Sequence, residues 1–162
     1  ILDNSYDASA DTMHSGLELL YSLPGRRKIA VLGDMLGIER LSEQAHRAVG
    51  DRVAEFADML VAVGPRAKFI ADEAKSRGVE KHARVLAPQE IMLFDDAASA
   101  GRALDPVIRE GDMVFVAGSG EMQMERAVAE IMSHPERADE CLVRRENIEK
   151  PNPDGIRPAM SL

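Results

Sequence analysis

Short apolar runs that end in glycine place the strongest limit on the fold of this chain. Three of them cover residues 28–33, 58–64 and 112–118, and residues 91–94 form a weaker fourth apolar run that does not end in glycine. Continuous apolar runs of this length are typical of strands that are buried on both faces of a parallel sheet. We therefore expect each run to form a buried strand, with the chain turning at the closing glycine.

Between these runs, apolar residues recur at helical spacing. The stripes comprise Met13, Leu17 and Leu20, then Leu41, Ala45, Ala48, Val49, Val53 and Phe56, and then Phe69, Ile70 and Ala74. Ser42 suits the N-cap of the second helix, and Gly78 suits the C-cap of the third. Further helices are predicted at about 96–109 and 122–133. This alternation predicts an α/β fold, a three-layer Rossmann-like domain with a mostly parallel sheet flanked by helices.

The C-terminal end differs from the rest of the chain in composition. Pro151, Pro153 and Pro158 crowd the last dozen residues around Gly155, and this mixture holds neither a helix nor a strand. We therefore predict one domain over residues 1–143 and a Pro-rich C-terminal tail over residues 144–162. The length of 162 residues suits a single core. Because the chain opens on Ile1 without an initiator Met, we expect it to be a piece of a longer protein.

The overall charge argues against two classes of partner. A formal net charge of −8 would repel nucleic acid and an anionic membrane, so we expect neither. The chain has one cysteine and four scattered histidines, which excludes an internal disulfide and offers no zinc spacing. Since no apolar stretch is long enough to span a bilayer and no signal pattern leads the chain, we expect a cytoplasmic protein.

Ligands of open parallel sheets bind beyond the carboxyl ends of the strands, which selects four loops. Residues 3–11 are rich in short polar side chains that could accept from ribose hydroxyls or cap a helix. Residues 33–37 could hold the Asp34 carboxylate over the crevice, reachable by solvent, or form an ordinary turn. The loop at 64–66 is the third candidate. The Gly-Ser-Gly turn that opens residues 118–122 could present N–H groups to an anion, although a tight turn explains it equally well.

Three further observations limit the chemistry of this chain. It lacks the G-x-x-x-x-G-K-[ST] loop that grips a nucleoside triphosphate, so any nucleotide role must be auxiliary. His46 lies near the apolar stripe of its helix, which favours a structural histidine over a catalytic base. The methionines at 122, 124 and 132 are expected to fill the core.

Taken together, three segments resemble the C-terminal domain of the Mur ligase family, most closely the branch that adds D-alanyl-D-alanine. Residues 1–13 are similar to the family's Asp-Asp-Ser-Tyr-Asn-Ala-Asn-Pro segment. Residues 25–36, followed by Ser42 and by residues 46–50, form the most specific stretch. Residues 111–119 and 122–126 are similar to the closing Gly-Asp-Val-Val-Leu-Val-Lys-Gly-Ser and Met-Arg-Met-Glu signatures. The resemblance covers nearly the whole chain.

The resemblance implies a reaction and a division of labour. In the family, ATP phosphorylates a carboxylate of a UDP-N-acetylmuramoyl peptide, and an amine then displaces the phosphate. The domains that hold the UDP-sugar, and the P-loop with Mg2+, precede the domain that this chain resembles. The chain would therefore serve a ligase that joins UDP-N-acetylmuramoyl-tripeptide and D-alanyl-D-alanine in peptidoglycan synthesis. ATP and Mg2+ would be held mainly by the other domains, and the isolated fragment would be inactive.

The resemblance also assigns site residues, none of them catalytic or metal-binding. Asn4 matches the family's ribose-contacting aspartate, and the predicted cofactor-binding set is Asn4, Tyr6 and Asp7. The predicted substrate-binding set is Gly33, Asp34, Met35, Gly64, Arg66, Gly118 and Ser119.

The chain departs from the family pattern at five positions, namely Asn4, Asp7, Ser9, Ala10 and Ala117. Ala117 stands where lysine is usual, and Asn4 lacks the charge of an aspartate. These departures favour an alternative, a noncatalytic or substrate-altered Mur-ligase-like binding domain. A ligase of the folylpolyglutamate or cyanophycin type is a further alternative, which the Asp-Met-Leu and Met-x-Met-Glu-Arg stretches resemble less.

Overall fold

The computed structural model describes residues 1–6, 8–38, 42–80 and 86–142. Within these ranges, one sheet forms the centre of the fold, with strand order β1-β5-β2-β3-β4. Every pairing between neighbouring strands is parallel. The strands are β1 (Leu2–Asn4), β2 (Lys28–Gly33), β3 (Met59–Val63), β4 (Ile91–Phe94) and β5 (Met113–Ala117).

Helices connect the strands and cover both faces of the sheet. They are α1 (Ala10–Ser22), α2 (Ser42–Phe56), α3 (Lys68–Glu80), α4 (Ala97–Leu104), α5 (Glu125–Ile131) and the short α6 (Ala138–Cys141). Short 3-10 turns occur at Pro88–Glu90, Gly120–Met122 and Pro135–Arg137. In the part of the chain that the structure describes, no helix is both long and apolar enough to cross a membrane.

Two apolar cores lie on opposite faces of the sheet. The first packs α1, α2 and α3 against the sheet, and it holds the fully buried Met13, Leu17 and Leu20 of α1. The second packs α4 and α5 against the other face, with Leu104 and Met124 fully buried. Since β3 is buried along its whole length, the central strands have helices on both sides. This is the predicted three-layer α/β arrangement.

The four apolar runs form β2, β3, β4 and β5, as predicted. The prediction that each strand is buried is wrong for β4, because this strand lies at the edge of the sheet and Leu93 is 48% exposed. The sequence analysis did not predict β1, because a strand of three residues is too short to show a pattern. It pairs with β5 at the edge of the sheet, with Asn4 opposite Ala117.

The other predicted boundaries have mixed outcomes. The prediction of a helix C-cap at Gly78 is wrong, because α3 continues to Glu80; a glycine inside a helix costs only about 1 kcal/mol relative to alanine. α4 ends at Leu104 rather than near residue 109, and α5 begins at Glu125 after a 3-10 turn. Leu41 and the predicted tail at 144–162 lie outside the described residues, and that domain boundary stays a prediction.

Candidate functional site

The loops that follow the neighbouring strands β2 and β5 lead to helices on opposite faces of the sheet. These strands are neighbours, yet the helix after β2 packs on one face of the sheet and the helix after β5 packs on the other. The loops at 33–37 and 118–122 therefore leave the carboxyl edge in opposite directions. In open parallel sheets, this topological switch point is where ligands bind. The loop at 64–66 follows the adjacent strand β3.

The two loops at the switch point are joined to each other by hydrogen bonds. The Ser119 N–H donates to the Asp34 carbonyl oxygen at 3.0 Å. The Leu36 N–H donates to Ser119 Oγ at 2.7 Å. The backbones also approach closely, since a Cβ atom on Gly33 would lie 3.3 Å from the Cα atom of Gly118. The two loops at the switch point are therefore held together by hydrogen bonds within the protein.

Asp34 joins the third loop to this assembly. Its side chain is buried, with 2% of the residue exposed, and Oδ1 accepts from the N–H groups of Arg66 at 3.0 Å and Ala67 at 2.7 Å. These N–H groups lie just before α3, where helical backbone donors lack carbonyl partners. The prediction that solvent reaches the Asp34 carboxylate is therefore wrong, because the start of α3 uses it as a hydrogen-bond acceptor.

Gly64 makes room for that carboxylate. Its φ is +102°, in the region that favours glycine. A Cβ atom at this position would lie 2.7 Å from Asp34 Oδ1, and the Gly64 N–H donates to the Phe94 carbonyl at 2.8 Å. The glycine that ends β3 is thus required both by its backbone angle and by its neighbour.

His46 fixes the loop at 33–37 from the side of α2. The residue is fully buried, and its Nε2 accepts from the Met35 N–H at 3.0 Å. Its Nδ1 lies 2.6 Å from the Ser42 carbonyl oxygen, to which it donates. Burial lowers the pKa of the imidazole, and the Ser42 carbonyl and the Asp34 charge oppose this in part. This arrangement agrees with the structural role predicted for His46.

The loops thus bring together six residues of the predicted substrate-binding set, and their role in binding stays a prediction: Gly33, Asp34, Gly64, Gly118, Ser119 and the backbone of Arg66. Met35 lies among them, but its side chain is fully buried in the first core. The Arg66 side chain is half-buried, and none of the carboxylates in the described ranges lies within ion-pair distance of it. Its guanidinium is therefore a positive charge at the carboxyl edge without a partner in that part of the chain.

A second candidate region lies at β1, on the edge of the sheet. A cavity of about 440 Å³ is lined by polar groups of Asp3, Asn4 and Asp11 and by apolar groups that include Phe115. Tyr6 follows nearby in the chain and is 60% exposed. Asp7, the third predicted cofactor-binding residue, lies outside the described residues.

Asp3 belongs to the polar segment 3–11 that was selected from the sequence, but it is not among the predicted cofactor-binding residues. Its Oδ1 accepts from the Ser5 N–H at 2.9 Å, whereas its Oδ2 is buried and accepts no hydrogen bond from the residues that the structure describes. A buried acceptor without a donor is uncommon and calls for an explanation. Recognising β1 as a strand would have drawn attention to Asp3, because it stands near the carboxyl end of that strand.

The family resemblance implies a nucleotide and Mg2+, and the side chains present differ in how well they suit each of them. The free Asp3 oxygen fits a hydroxyl donor such as that of a ribose. In contrast, among the residues in the described ranges, no three histidine, cysteine, aspartate or glutamate side chains cluster so as to hold a metal ion. That part of the chain therefore offers no metal cage made of three or more of its own side chains.

Two departures from the family pattern have structural roles of their own. Ser9 is the N-cap of α1, and its Oγ accepts from the Thr12 N–H at 3.1 Å. The Ser9 N–H in turn donates to Thr12 Oγ1 at 2.9 Å, completing a capping box. Ala117 is fully buried in the first core, so the site of the usual lysine is occupied by packed apolar structure.

Comparisons with known proteins identify relatives of this chain. Two curated relatives are UDP-N-acetylmuramoyl-tripeptide--D-alanyl-D-alanine ligases, one from Synechocystis and one from Bacillus subtilis. The first is 27% identical over 136 residues, covering 82% of this chain and 27% of the relative. The second is 26% identical over 137 residues, covering 83% of this chain and 28% of the relative. The chain thus spans little more than a quarter of the length of these relatives.

Solved structures give the same result. A MurF ligase from Thermotoga maritima in complex with ADP has a TM-score of 0.62 and 23% identity, covering 82% of this chain and 28% of that protein. MurF from Acinetobacter baumannii has a TM-score of 0.60 and 26% identity, covering 78% of this chain and 26% of that protein. The first likeness is one of fold, and the second extends to sequence.

The family described as "Mur ligase, glutamate ligase domain" matches residues 1–120. This range runs from β1 through β5, includes the loops at 33–37 and 64–66, and reaches residue 120 of the loop at 118–122. Because the match covers well over half of the chain, the chain belongs to the Mur ligase family.

Proposed function

We propose that this chain works as the C-terminal domain of an ATP-dependent peptide ligase. The ligase would add D-alanyl-D-alanine to UDP-N-acetylmuramoyl-tripeptide in the synthesis of the peptidoglycan precursor. The observation that carries this proposal is the family match over residues 1–120, together with relatives that bear this activity in their names. Such a ligase would act in the cytoplasm, where the nucleotide-linked precursor is made.

The joined loops at the carboxyl edge form the substrate-facing surface in this proposal. Asp34 and Ser119 hold the three loops in one arrangement through hydrogen bonds within the protein. Preorganisation of this kind lowers the entropic cost of aligning two reactants. Gly33, Gly64 and Gly118 would contribute by letting the loops pack closely, since a Cβ atom at any of them would meet atoms of the protein itself. Asp34 and Met35 would contribute through their backbones, since their side chains are buried.

Arg66 would supply the charge that this surface offers to a substrate. Both proposed substrates carry carboxylates, and a guanidinium binds a carboxylate through two parallel hydrogen bonds. In the described part of the chain, no carboxylate occupies the Arg66 side chain. We therefore assign Arg66 to substrate binding rather than to stability.

The β1 edge would contact the nucleotide. Asn4, Tyr6 and Asp7 are the predicted cofactor-binding residues, and we add Asp3, whose free oxygen is a suitable acceptor for a ribose hydroxyl. ATP supplies the phosphoryl group that activates the tripeptide carboxylate. The triphosphate and Mg2+ would be held outside this chain, because its sequence lacks the P-loop pattern and the described residues offer no metal cluster. The chain's own residues bind, orient and exclude water, and none is assigned as catalytic.

The proposal is tested by reconstitution. The 162-residue chain alone, given Mg-ATP, UDP-N-acetylmuramoyl-tripeptide and D-alanyl-D-alanine, should release no phosphate and form no product. The same chain joined to the UDP-sugar-binding and ATP-binding domains of the ligase should form product. Turnover by the chain alone would contradict the division of roles. Substrate binding without turnover by the joined protein would favour the noncatalytic alternative.

Arg66→Ala provides a sharper test of the substrate-facing surface. In the joined protein, this variant should raise the KM for the substrate whose carboxylate Arg66 binds, either the UDP-N-acetylmuramoyl-tripeptide or D-alanyl-D-alanine. The increase should be about tenfold or more, since a charged hydrogen bond contributes about 1.5–3 kcal/mol. Lys68→Ala, on the exposed start of α3, is the matched control and should leave KM unchanged. Equal effects of the two variants would remove Arg66 from the site.

A further inference from the structure

We infer that His46 is a positioning residue that holds the loop at 33–37 only while its imidazole is neutral, and that protonation of the imidazole releases this loop. The release itself follows from the hydrogen bonds around His46. Its consequence for ligation rests on the proposed function.

The geometry fixes one tautomer of His46. A carbonyl oxygen cannot donate, so Nδ1, at 2.6 Å from the Ser42 carbonyl, must carry a hydrogen. The Met35 N–H points at Nε2 from 3.0 Å, so Nε2 must be bare and accept. The two bonds together require a neutral ring with its hydrogen on Nδ1. No exchange of roles satisfies both partners.

Protonation would place an N–H group on Nε2, directly against the Met35 N–H. Two donors would then face each other at a fully buried position. The Met35 N–H would lose its acceptor, and a buried donor left unpaired costs about 1–3 kcal/mol. Leu36 would still be held by Ser119 Oγ. The loop would therefore be freed on the α2 side while it remained attached on the β5 side.

The charged groups around His46 do not remove this conflict. From its own loop, Asp34 favours the protonated ring through its charge, but its Oδ1 is already used by Arg66 and Ala67. From the loop after β3, the Arg66 charge opposes protonation. From α2 itself, the Ser42 carbonyl accepts from Nδ1 in either state. Among the described residues, the hydrogen-bond partner of His46 Nε2 is the Met35 N–H, which is a donor and cannot accept from an Nε2–H group.

Burial lowers the pKa of His46 below the ordinary value of 6.5. The unfolded chain therefore binds a proton on this residue at a higher pH than the folded chain does. The stability that neutral His46 provides is complete above about pH 6.5, and it declines as the pH falls toward the folded pKa. We therefore expect the loop at 33–37 to be released below about pH 6.5.

The first experiment follows the 162-residue chain by NMR from about pH 8 to about pH 5. At neutral pH, the His46 ring should carry its hydrogen on Nδ1 alone. As His46 becomes protonated, exchange of the Met35 amide hydrogen, corrected for the intrinsic pH dependence, should accelerate at least about tenfold. The amide of Val31, in the centre of β2, is the control and should keep its protection.

Several results would overturn the inference. They are a hydrogen on Nε2 at neutral pH, a Met35 amide that stays protected after His46 is protonated, and simultaneous loss of protection at Met35 and Val31, which would mean global unfolding. A ring that stays neutral until the chain unfolds would also overturn it.

Two variants separate titration from mere packing. His46→Gln replaces Nε2 by an amide oxygen that accepts but does not titrate, so the Met35 amide should stay protected across the pH range. His46→Leu offers no acceptor, so this amide should exchange fast even at neutral pH. Fast exchange in both variants, or in neither, would contradict a role for the Nε2 acceptor.

A kinetic experiment tests whether protonation of His46 affects ligation. In the joined ligase, the ratio of the wild-type KM for D-alanyl-D-alanine to that of His46→Gln should rise at least about threefold from about pH 8 to about pH 5, because titration of the dipeptide's own amino group affects both enzymes alike and cancels in the ratio. If exchange at Met35 follows the predicted pattern but KM does not, the release of the loop by His46 protonation is supported, and the placement of the dipeptide on this loop is wrong. If the exchange pattern fails, the inferred release is wrong whatever the kinetics of the ligase show.

Discussion

The Asp34 carboxylate occupies the space that a side chain at residue 64 would need. Its Oδ1 would lie 2.7 Å from a Cβ atom built on Gly64. The same oxygen accepts from the N–H groups of Arg66 and Ala67. The glycine that ends β3 and the aspartate that follows β2 are therefore parts of one structural unit.

Asp34→Ala should destabilise the 162-residue chain by about 2–4 kcal/mol, because it leaves two buried N–H groups without their charged acceptor. Asp34→Asn keeps an acceptor oxygen and should cost less. Urea denaturation measures both effects. Asp72→Ala, at an exposed position of α3, is the control and should stay within about 0.5 kcal/mol of the wild type. A loss for Asp34→Ala no larger than that control would show that the buried hydrogen bonds contribute little.

Gly64→Ala should destabilise the chain more than Gly37→Ala does. Both glycines have a positive φ, +102° and +80° respectively, so both variants carry the backbone cost of about 1 kcal/mol. Only Gly64 has a neighbour in the way, since a Cβ atom on Gly37 would meet nothing within 4 Å. The difference between the two melting temperatures reports the clashes at Gly64, with Asp34 Oδ1 at 2.7 Å and Met122 Cε at 2.8 Å. Equal shifts would mean that both neighbours move aside at no cost.

Asp112 should make stability depend on pH in the acid range. The hydrogen bond from Arg27 lowers the pKa of the Asp112 carboxyl, aided by the Arg109 N–H. A lowered folded pKa gives stability that is complete above the unfolded pKa of about 3.9 and is lost as the pH falls through the folded value. The stability difference between wild type and Asp112→Asn should therefore shrink below about pH 4. A difference that stays constant in denaturation curves down to about pH 2 would contradict this assignment.

Asn4→Asp tests whether residue 4 touches the nucleotide. A hydrogen bond to a charged group contributes about 1.5–3 kcal/mol against about 1 kcal/mol for a neutral one. In the joined ligase, the variant should leave the fold intact and lower the KM for ATP by a few-fold to about tenfold. Circular dichroism checks the fold, and initial rates measure the KM. An active wild type whose ATP dependence does not change in the variant would show that residue 4 does not contact the nucleotide.

Much of the fold could be predicted because its pattern is local. The run Lys28–Gly33 formed β2, and the stripe of Met13, Leu17 and Leu20 formed the buried face of α1. Period and apolar content report burial directly, whatever the neighbouring element is. The strand β1 was missed because its three residues are too few to show a period.

The sequence by itself determined which segments become strands and helices, and it indicated the edge of the sheet where the glycine-ended strands turn. Only the tertiary structure decided what the polar residues at that edge do. Asp34 bonds to an N–H group 33 residues away, and Ser119 accepts from one 83 residues away. Periodicity records whether a residue is buried, whereas a hydrogen-bond partner depends on which strands become neighbours. The insertion of β5 between β1 and β2 brought Ser119 to Asp34 and turned a predicted solvent-facing carboxylate into a buried one.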